Sequence, residues 1–124
     1  MNRNLSLEID HIHLDRKGLQ IVVSELEAEL LTYLWKHGPS TVRSIYEDVG
    51  RKKNVALTTI GVTLDRMHAR GLTGREIDKG RGGLKYIYTA SVSKEELGKS
   101  IAKAVVEKLS SAFGSSVGSY FSGE

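Results

Sequence analysis

The chain has 124 residues, 40% of them hydrophobic and 27% charged, as in an ordinary globular domain. Its 18 Lys and Arg residues exceed its 15 Asp and Glu residues, and the net charge of +3 is a mild indication of an anionic partner. The absence of cysteine excludes disulfides, thiolate metal sites and a cysteine nucleophile. No stretch is typical of a signal peptide or a membrane span, so we expect a cytoplasmic protein with no membrane partner.

The N-terminal residues favour two short strands. Residues 5–14 alternate between apolar and polar with a period close to two, residues 15–18 have turn composition, and residues 19–23 form an apolar run. The pattern predicts an N-terminal β-hairpin extension over residues 1–23.

A first helix begins after Ser24. Ser24 followed by Glu27 fits a capping box, and Gly38 with Pro39 is expected to end the helix. Its apolar positions recur at helical spacing: Leu26, Leu30, Leu31 and Leu34.

A second helix follows at once. Ser40 or Thr41 can cap it, Gly50 is expected to end it, and Asn54 could cap the helix after it. The apolar positions of the second helix are Val42, Ile45, Tyr46 and Val49.

The third helix has the clearest amphipathic pattern. Its apolar stripe consists of Leu57, Ile60, Leu64 and Met67, and Gly71 provides a left-handed position after its end. The opposite face is small and polar, as a helix that reads a DNA groove requires: Thr58, Thr59, Val62, Thr63 and Arg66.

A hairpin and a fourth helix complete the pattern. Residues 72–78 and 84–89 predict two strands, and residues 79–83 form a basic, glycine-rich tip. Ser93 with Glu96 fits a second capping box. The fourth helix has one apolar stripe, formed by Leu97, Ile101, Val105 and Leu109. The last residues, 114–124, are rich in Gly and Ser and predict a flexible tail.

This order of elements is typical of an α+β winged helix-turn-helix fold. The predicted divisions are an N-terminal extension (1–23), a winged-helix domain (24–91), a C-terminal helix (92–113) and a tail (114–124).

The winged helix predicts double-stranded DNA as a partner, because the third helix would enter the major groove and basic groups around it would bind phosphates. Val62 either contacts a thymine methyl group or packs at the edge of the helix. The candidate DNA-binding residues are Thr41, Arg43, Lys53, Asn54, Thr58, Thr59, Val62, Thr63, Arg66, Lys79, Arg81 and Lys85.

Residues 26–97 resemble the penicillinase-repressor family, the BlaI/MecI/CopY-like winged-helix repressors. The matching residues in the first two helices are Glu27, Ala28, Glu29, Leu34 and Trp35, followed by Gly38, Pro39, Ser40, Thr41, Val42 and Arg43. The matching residues beyond them are Thr58, Thr59, Ile60, Leu64, Asp65, Arg66, Met67, Gly71, Leu72, Tyr86, Ile87, Tyr88, Ser93, Lys94, Glu95 and Glu96.

The resemblance implies a homodimer that binds a palindromic operator and represses transcription, with dimerisation through the C-terminal helix. The stripe from Leu97 to Leu109 fits that role, although it could serve the core alone. The N-terminal hairpin departs from the family pattern. The nearest equivalent of the family's cleavable Asn-Phe bond is Tyr120-Phe121, close to the end, and copper-binding cysteines are missing. The proteolytic and copper switches are therefore not expected here.

Other kinds of site have little support. His11 and His13 share a strand face but lack a third metal ligand, whereas His37 and His68 suit carbonyl contacts near helix ends. No nucleophile, base and orienting group occur together, so no enzyme and no cofactor are predicted. The alternative hypothesis is a winged-helix protein–protein interaction module in a larger transcription or replication assembly.

Overall fold

The computed structural model describes residues 12–13, 15, 17–80 and 82–123. In these ranges the helices are a 3₁₀ helix (Gly18–Ile21), α1 (Glu25–His37), α2 (Val42–Ile45), a π-helical turn (Tyr46–Gly50), α3 (Arg51–Lys53), α4 (Leu57–Ala69), α5 (Lys94–Phe113) and α6 (Ser115–Ser122). The strands are β1 (Ser40–Thr41), β2 (Thr73–Asp78) and β3 (Lys85–Ala90), which form one antiparallel sheet in the order β1-β3-β2.

The core lies between α1, α2, α4 and the sheet. The apolar stripes predicted for the first three helices are buried at their centres, and burial of each large aliphatic side chain stabilises the fold by about 1.5–3 kcal/mol. The fully buried members of these helices are Leu30, Leu31, Ile45, Ile60, Leu64 and Met67. Three helices followed by a two-stranded hairpin confirm the predicted winged helix.

The start of α1 is the predicted capping box. The Ser24 hydroxyl accepts a hydrogen bond from the Glu27 amide at 3.1 Å, and the Ser24 amide donates to Glu27 Oε1 at 2.8 Å. Glu27 also pairs with Arg70 at 3.3 Å, at the end of α4. The first turn of α1 is thereby fixed to the last turn of α4.

Two expectations for the second helix are wrong. Gly50 does not end it, because the chain continues from α2 through a π-helical turn (Tyr46–Gly50) into α3. The helix ends at Asn54, which has a left-handed conformation with φ of 56°. Asn54 therefore terminates α3 and does not cap α4, whose N-cap is Ala56 with no side-chain hydrogen bond.

The hairpin β2–β3 forms the wing. Its pairing runs from Thr73 opposite Ala90 to Asp78 opposite Lys85. Gly71 has a φ of 84°, and this left-handed residue, as predicted, lets the chain turn from α4 into the wing.

The N-terminal hairpin is not observed in the described residues. The predicted second strand, residues 19–23, is instead the 3₁₀ helix followed by Val22 and Val23, both buried in the core. The Val22 carbonyl accepts a hydrogen bond from Arg70 Nη2 at 3.0 Å. One backbone hydrogen bond joins the two predicted segments, from the His13 amide to the Ile21 carbonyl at 2.6 Å. The predicted first strand, residues 5–14, lies outside the described residues apart from 12 and 13, which have no strand structure.

The C-terminal region differs from the predicted tail. Ser93 and Glu96 form the predicted capping box of α5, with hydrogen bonds of 3.0 and 2.9 Å. After Gly114 the chain forms α6, where the sequence predicted a flexible tail. Gly and Ser content indicated disorder, but Val117, Tyr120 and Phe121 provide α6 with an apolar face against the end of α5.

Candidate nucleic-acid interface

The exposed face of α4 contains the residues that the sequence placed there. Thr58, Thr59 and Arg66 are exposed, and Val62 is 49% exposed. Thr63 is half-buried at the edge of this face, and its hydroxyl donates to the Thr59 carbonyl at 2.7 Å. The face therefore presents hydroxyl groups, methyl groups and one guanidinium, which are the groups that read base edges and phosphates in a major groove.

Thr41 and Arg43 lie where α2 begins. The Thr41 hydroxyl accepts from the Ser44 amide and donates to the Ser44 hydroxyl, each at 3.1 Å, so Thr41 is the N-cap of this helix. Arg43 is exposed in the first turn of α2. A helix N-terminus is a favourable place for a phosphate, and Arg43 adds a full positive charge there.

Lys53 and Asn54 have structural contacts of their own. The Lys53 ammonium lies 2.7 Å from Glu25 Oε1 and 3.9 Å from Glu29 Oε1, both on α1. The hydrogen bond with Lys53 lowers the pKa of Glu25, and that with Glu25 raises the pKa of Lys53. The structure thus places Lys53 against α1 and Asn54 at the end of α3, so neither extends the exposed face of α4.

The end of the wing is basic. Lys79 and Lys85 are exposed on either side of the hairpin loop, and Arg81 lies outside the described residues. Gly82 and Gly83 have φ values of 89° and 100°, the left-handed conformations that this tight loop requires. Both lysines are therefore available to bind phosphates.

Some of the cations among the described residues are paired with carboxylates of the same chain and others are not. Arg51, Lys52, Lys53, Arg70, Arg75 and Lys99 each form an ion pair within the chain. No ion pair among the described residues includes Arg43, Arg66, Lys79 or Lys85. The four cations proposed for the interface thus have no ion pair among the described residues, whereas Arg75 on the wing pairs with Asp65 on α4. Lysines elsewhere in the described part of the chain also lack an ion pair: Lys17, Lys36, Lys94, Lys103 and Lys108.

Sequence reasoning missed a contact between α4 and the wing. Asp65 Oδ1 accepts hydrogen bonds from the Tyr88 hydroxyl at 2.5 Å and from Arg75 Nη1 at 2.9 Å. These bonds lower the pKa of Asp65, whereas burial and the neighbouring Asp65 raise the pKa of Tyr88 to about 12. The only signal in the sequence was an acidic residue beside a helix face that was otherwise neutral or basic.

The predicted dimerisation stripe is divided in the structure. Leu97 is fully buried and Ile101 packs against the core, so these two residues belong at least partly to the winged-helix core. Val105 is half-buried and Leu109 is 39% exposed.

Sequence reasoning also missed the aromatic residues that extend this stripe. Phe113, Tyr120 and Phe121 are 66%, 79% and 65% exposed, and with Leu109 and Val117 they line an open groove of about 240 Å³ between α5 and α6. Large exposed apolar patches on small domains mark interaction surfaces. Phe113 continues the four-residue spacing of the stripe inside α5, whereas Tyr120 and Phe121 lie beyond Gly114, where that spacing no longer applies.

Other candidate sites have local explanations. His37 Nδ1 lies 3.1 Å from the Tyr33 carbonyl and His68 Nδ1 lies 2.8 Å from the Thr73 carbonyl, as expected for carbonyl contacts. His13 is half-buried, and His11 lies outside the described residues. Across the part of the chain that the structure describes, no cluster of three or more His, Asp or Glu side chains could hold a metal ion. The helices searched in the same part include none that is long and apolar enough to cross a membrane.

Comparisons with known proteins place this fold in a family. The family model described as Penicillinase repressor matches residues 23–122, which is most of the chain. Among solved structures, the chain is similar to Stf76 from the Sulfolobus islandicus plasmid-virus pSSVx, at 24% identity and a TM-score of 0.46, covering 57% of this chain and 87% of that one. No curated protein sequence matches it. The chain therefore belongs to the penicillinase repressor family, which consists of DNA-binding transcriptional repressors and not of enzymes.

Proposed function

We propose that this protein is a sequence-specific repressor that binds a palindromic operator as a homodimer, with α4 in the major groove and the wing beside it. The observation that carries the proposal is the distribution of unpaired cations. Among the described residues of the winged helix, Arg51, Lys52, Lys53, Arg70 and Arg75 pair with carboxylates of the same chain. Lys36 on α1 has no such pair among them, and neither do Arg43, Arg66, Lys79 and Lys85, which lie on α2, α4 and the wing.

Specificity would come from α4. Thr58, Thr59 and Val62 present methyl groups that suit contact with thymine methyls, and the threonine hydroxyls can bond to base edges or phosphates. Arg66, exposed on the same helix, is long enough to reach a guanine or a phosphate. Asp65, on the side of α4 toward the wing, is held by Arg75 and Tyr88 and is not proposed as a base contact.

Affinity would come from phosphate contacts at the two ends of this surface. Arg43 lies at the start of α2, and Lys79 and Lys85 lie at the end of the wing. Each phosphate that a cation neutralises releases counterions, so binding should weaken steeply as salt increases. These contacts would fix the register of α4 in the groove without reading sequence.

The dimer would form through the exposed apolar surface of α5 and α6. The aromatic groove is rimmed by Leu109, Phe113, Tyr120 and Phe121, and burying it against its counterpart would remove this apolar area from water. An interface between identical subunits is two-fold symmetric, and its two recognition helices would read inverted half-sites. A dimer bound over a promoter would repress by occupying DNA that transcription requires, and we expect it to act in the cytoplasm.

A fluorescence-anisotropy titration tests the proposal. The probes are the DNA upstream of the protein's own gene and an unrelated duplex of the same length and base composition, each at several salt concentrations. We expect roughly a thousandfold tighter binding to the upstream DNA, the lower end of the ratio between specific and non-specific affinity.

Two variants with equal charge changes refine the test. Arg66→Gln, on α4, should weaken binding to the upstream DNA, whereas Lys103→Gln, at an exposed position of α5, should leave it within about twofold of the wild type. Equal affinity of the wild type for both duplexes would refute sequence-specific binding. An unchanged affinity in Arg66→Gln would show that Arg66 does not contact this DNA.

A further inference from the structure

A short network of side chains connects α4 to the wing. Asp65, in the third turn of α4, accepts hydrogen bonds through one carboxylate oxygen from Arg75 on β2 and Tyr88 on β3. Tyr88 is only 1% exposed, and its ring is part of the core. The carboxylate is thus held from both strands of the wing at once.

The register of the wing extends this network toward its exposed end. Arg75 lies opposite Tyr88 and Ile77 lies opposite Tyr86, so these four side chains share the face of the wing that is turned to α4. The Arg75 guanidinium carbon lies 4.8 Å from the centroid of the Tyr86 ring. Contacts therefore run from Asp65 through Arg75 to Tyr86, next to Lys85 at the end of β3.

The remaining polar contacts between α4 and the wing are close to the base of the hairpin. The Thr73 hydroxyl donates to the Leu64 carbonyl at 3.1 Å, and the Thr73 carbonyl lies 2.8 Å from His68 Nδ1. Among the hydrogen bonds of the described residues, those of Asp65 are the ones that reach α4 from beyond Thr73. A two-stranded hairpin has little stability of its own, so its outer part depends on such contacts for its direction.

We propose that Asp65 is a positioning residue for DNA binding. It fixes the angle between α4 and the wing, so that the wing lysines meet the phosphates of the same DNA segment that α4 reads. Arg75 connects β2 to α4 in this arrangement, and because Asp65 neutralises its charge it is not a phosphate ligand. A wing that is already fixed loses less conformational entropy on binding than one that moves freely. This inference rests on the proposed function.

A double-mutant cycle tests the proposal, with the DNA upstream of the gene as the probe. In the wild type, Lys79→Gln should weaken binding roughly fivefold, the factor that one phosphate contact contributes near physiological salt. In the Asp65→Ala background, the same Lys79→Gln change should weaken binding by less than about twofold, because the wing no longer holds Lys79 close to a phosphate. Asp65→Ala alone should weaken binding by roughly tenfold.

Arg43→Gln is the matched control. Arg43 lies on α2, which is held by its fully buried Ile45 and by the pairing of β1 with β3. Neither contact involves Asp65, so the loss of Arg43 should weaken binding by the same factor in both backgrounds. Equal factors for Lys79→Gln in the two backgrounds would overturn the proposal. Tyr88→Phe keeps the buried ring and removes one hydrogen bond to Asp65. In this background, Lys79→Gln should also weaken binding less than it does in the wild type, but the difference should be smaller than in Asp65→Ala.

Hydrogen exchange of the free protein supplies a readout that needs no DNA. Asp65→Ala should speed the exchange of the wing amides from 76 to 86 while leaving the amides of α1 unchanged. Unchanged exchange in the wing would show that the contact between Asp65 and Arg75 does not hold the wing in place, even if the protein binds DNA specifically. A wild type that does not discriminate between DNA sequences, combined with faster exchange in the wing, would refute the proposed function and limit Asp65 to a structural role.

Discussion

Gly50 shows at the scale of one residue how tightly the helix-turn-helix unit is packed. Its backbone is helical, with φ of −60° and ψ of −46°, so no glycine is required for the conformation itself. A Cβ atom at this position would lie 2.4 Å from Tyr46 Cδ1, however, which is closer than two carbon atoms can approach. The Tyr46 ring therefore occupies the space that a side chain at position 50 would need.

We predict opposite effects for two glycine-to-alanine changes in helices. Gly50→Ala should lower the free energy of unfolding by about 1–3 kcal/mol, because the Tyr46 ring must move. Gly98→Ala, on exposed α5 with no atom within 4 Å of its Cβ, should raise it by about 0.5–1 kcal/mol. Urea denaturation measures both. A Gly50→Ala protein as stable as Gly98→Ala would contradict the packing described here.

Tyr88 provides a prediction at alkaline pH. Burial and Asp65 raise its pKa from 10.0 to about 12, so the folded protein keeps the phenolic proton after the unfolded chain has lost it. A raised pKa in the folded state stabilises the fold fully below the unfolded value, and this contribution disappears as pH rises through the folded value. The stability advantage of the wild type over Tyr88→Phe should therefore shrink between pH 10.0 and about pH 12.

Urea denaturation of both proteins at intervals between neutral and strongly alkaline pH measures that advantage. An advantage that stays constant across this window would show that Tyr88 titrates as it does in the unfolded chain.

The residues also show what could be predicted from sequence. The capping boxes at Ser24 and Ser93 were predictable because each involves residues three positions apart. The bonds of Asp65 were not, because Arg75 and Tyr88 lie 10 and 23 positions away and meet it only in the folded chain. Sequence patterns thus predicted the face of α4 and the basic wing, but not what holds the two together.

At the scale of elements, α5 connects the winged helix to the proposed dimer surface. Its first turns are fixed to the core through Leu97, and the Trp35 indole on α1 donates to the Val92 carbonyl just before it at 2.8 Å. Its last turns, with Leu109 and Phe113, are exposed. Gly114, with φ of 59°, ends the helix, and α6 folds back to form the aromatic groove.

The capping box of α5 should contribute measurably to stability. Ser93→Ala removes the hydroxyl that accepts from the Glu96 amide, and we expect it to lower the free energy of unfolding by about 1 kcal/mol. Ser111→Ala, at an exposed position inside the same helix, should be neutral or slightly stabilising, because alanine is the better helix former. Thermal denaturation by circular dichroism compares the two variants. Equal melting temperatures would show that the first turn of α5 needs no cap.

At the scale of the whole molecule, the proposed operator binding requires a second copy of the chain. One winged helix offers a single recognition helix and few unpaired cations, whereas a dimer doubles both and reads two half-sites. The apolar surface on α5 and α6 would then serve dimerisation, and the polar surface on α4 and the wing would bind DNA.

This division predicts that the two surfaces can be disabled separately. A double variant in which both Phe113 and Tyr120 are replaced by serine should shift the protein toward monomer. It should also bind DNA more weakly, because each monomer contacts only one half-site. Val62→Ser, which removes an exposed apolar residue from α4, should weaken DNA binding and leave the dimer intact. Sedimentation velocity over a range of concentrations gives the dimer dissociation constant. A double variant that dimerises like the wild type would place the interface elsewhere.

Selection of binding sites from a pool of random duplexes, followed by sequencing, tests whether the protein binds a specific DNA sequence as a symmetric dimer. We predict enrichment of an inverted repeat with half-sites about one helical turn apart, and loss of that enrichment in Arg66→Gln. Enrichment of a single unrepeated site would contradict the symmetric dimer. No enriched sequence from the wild type would contradict specific DNA recognition by α4 altogether.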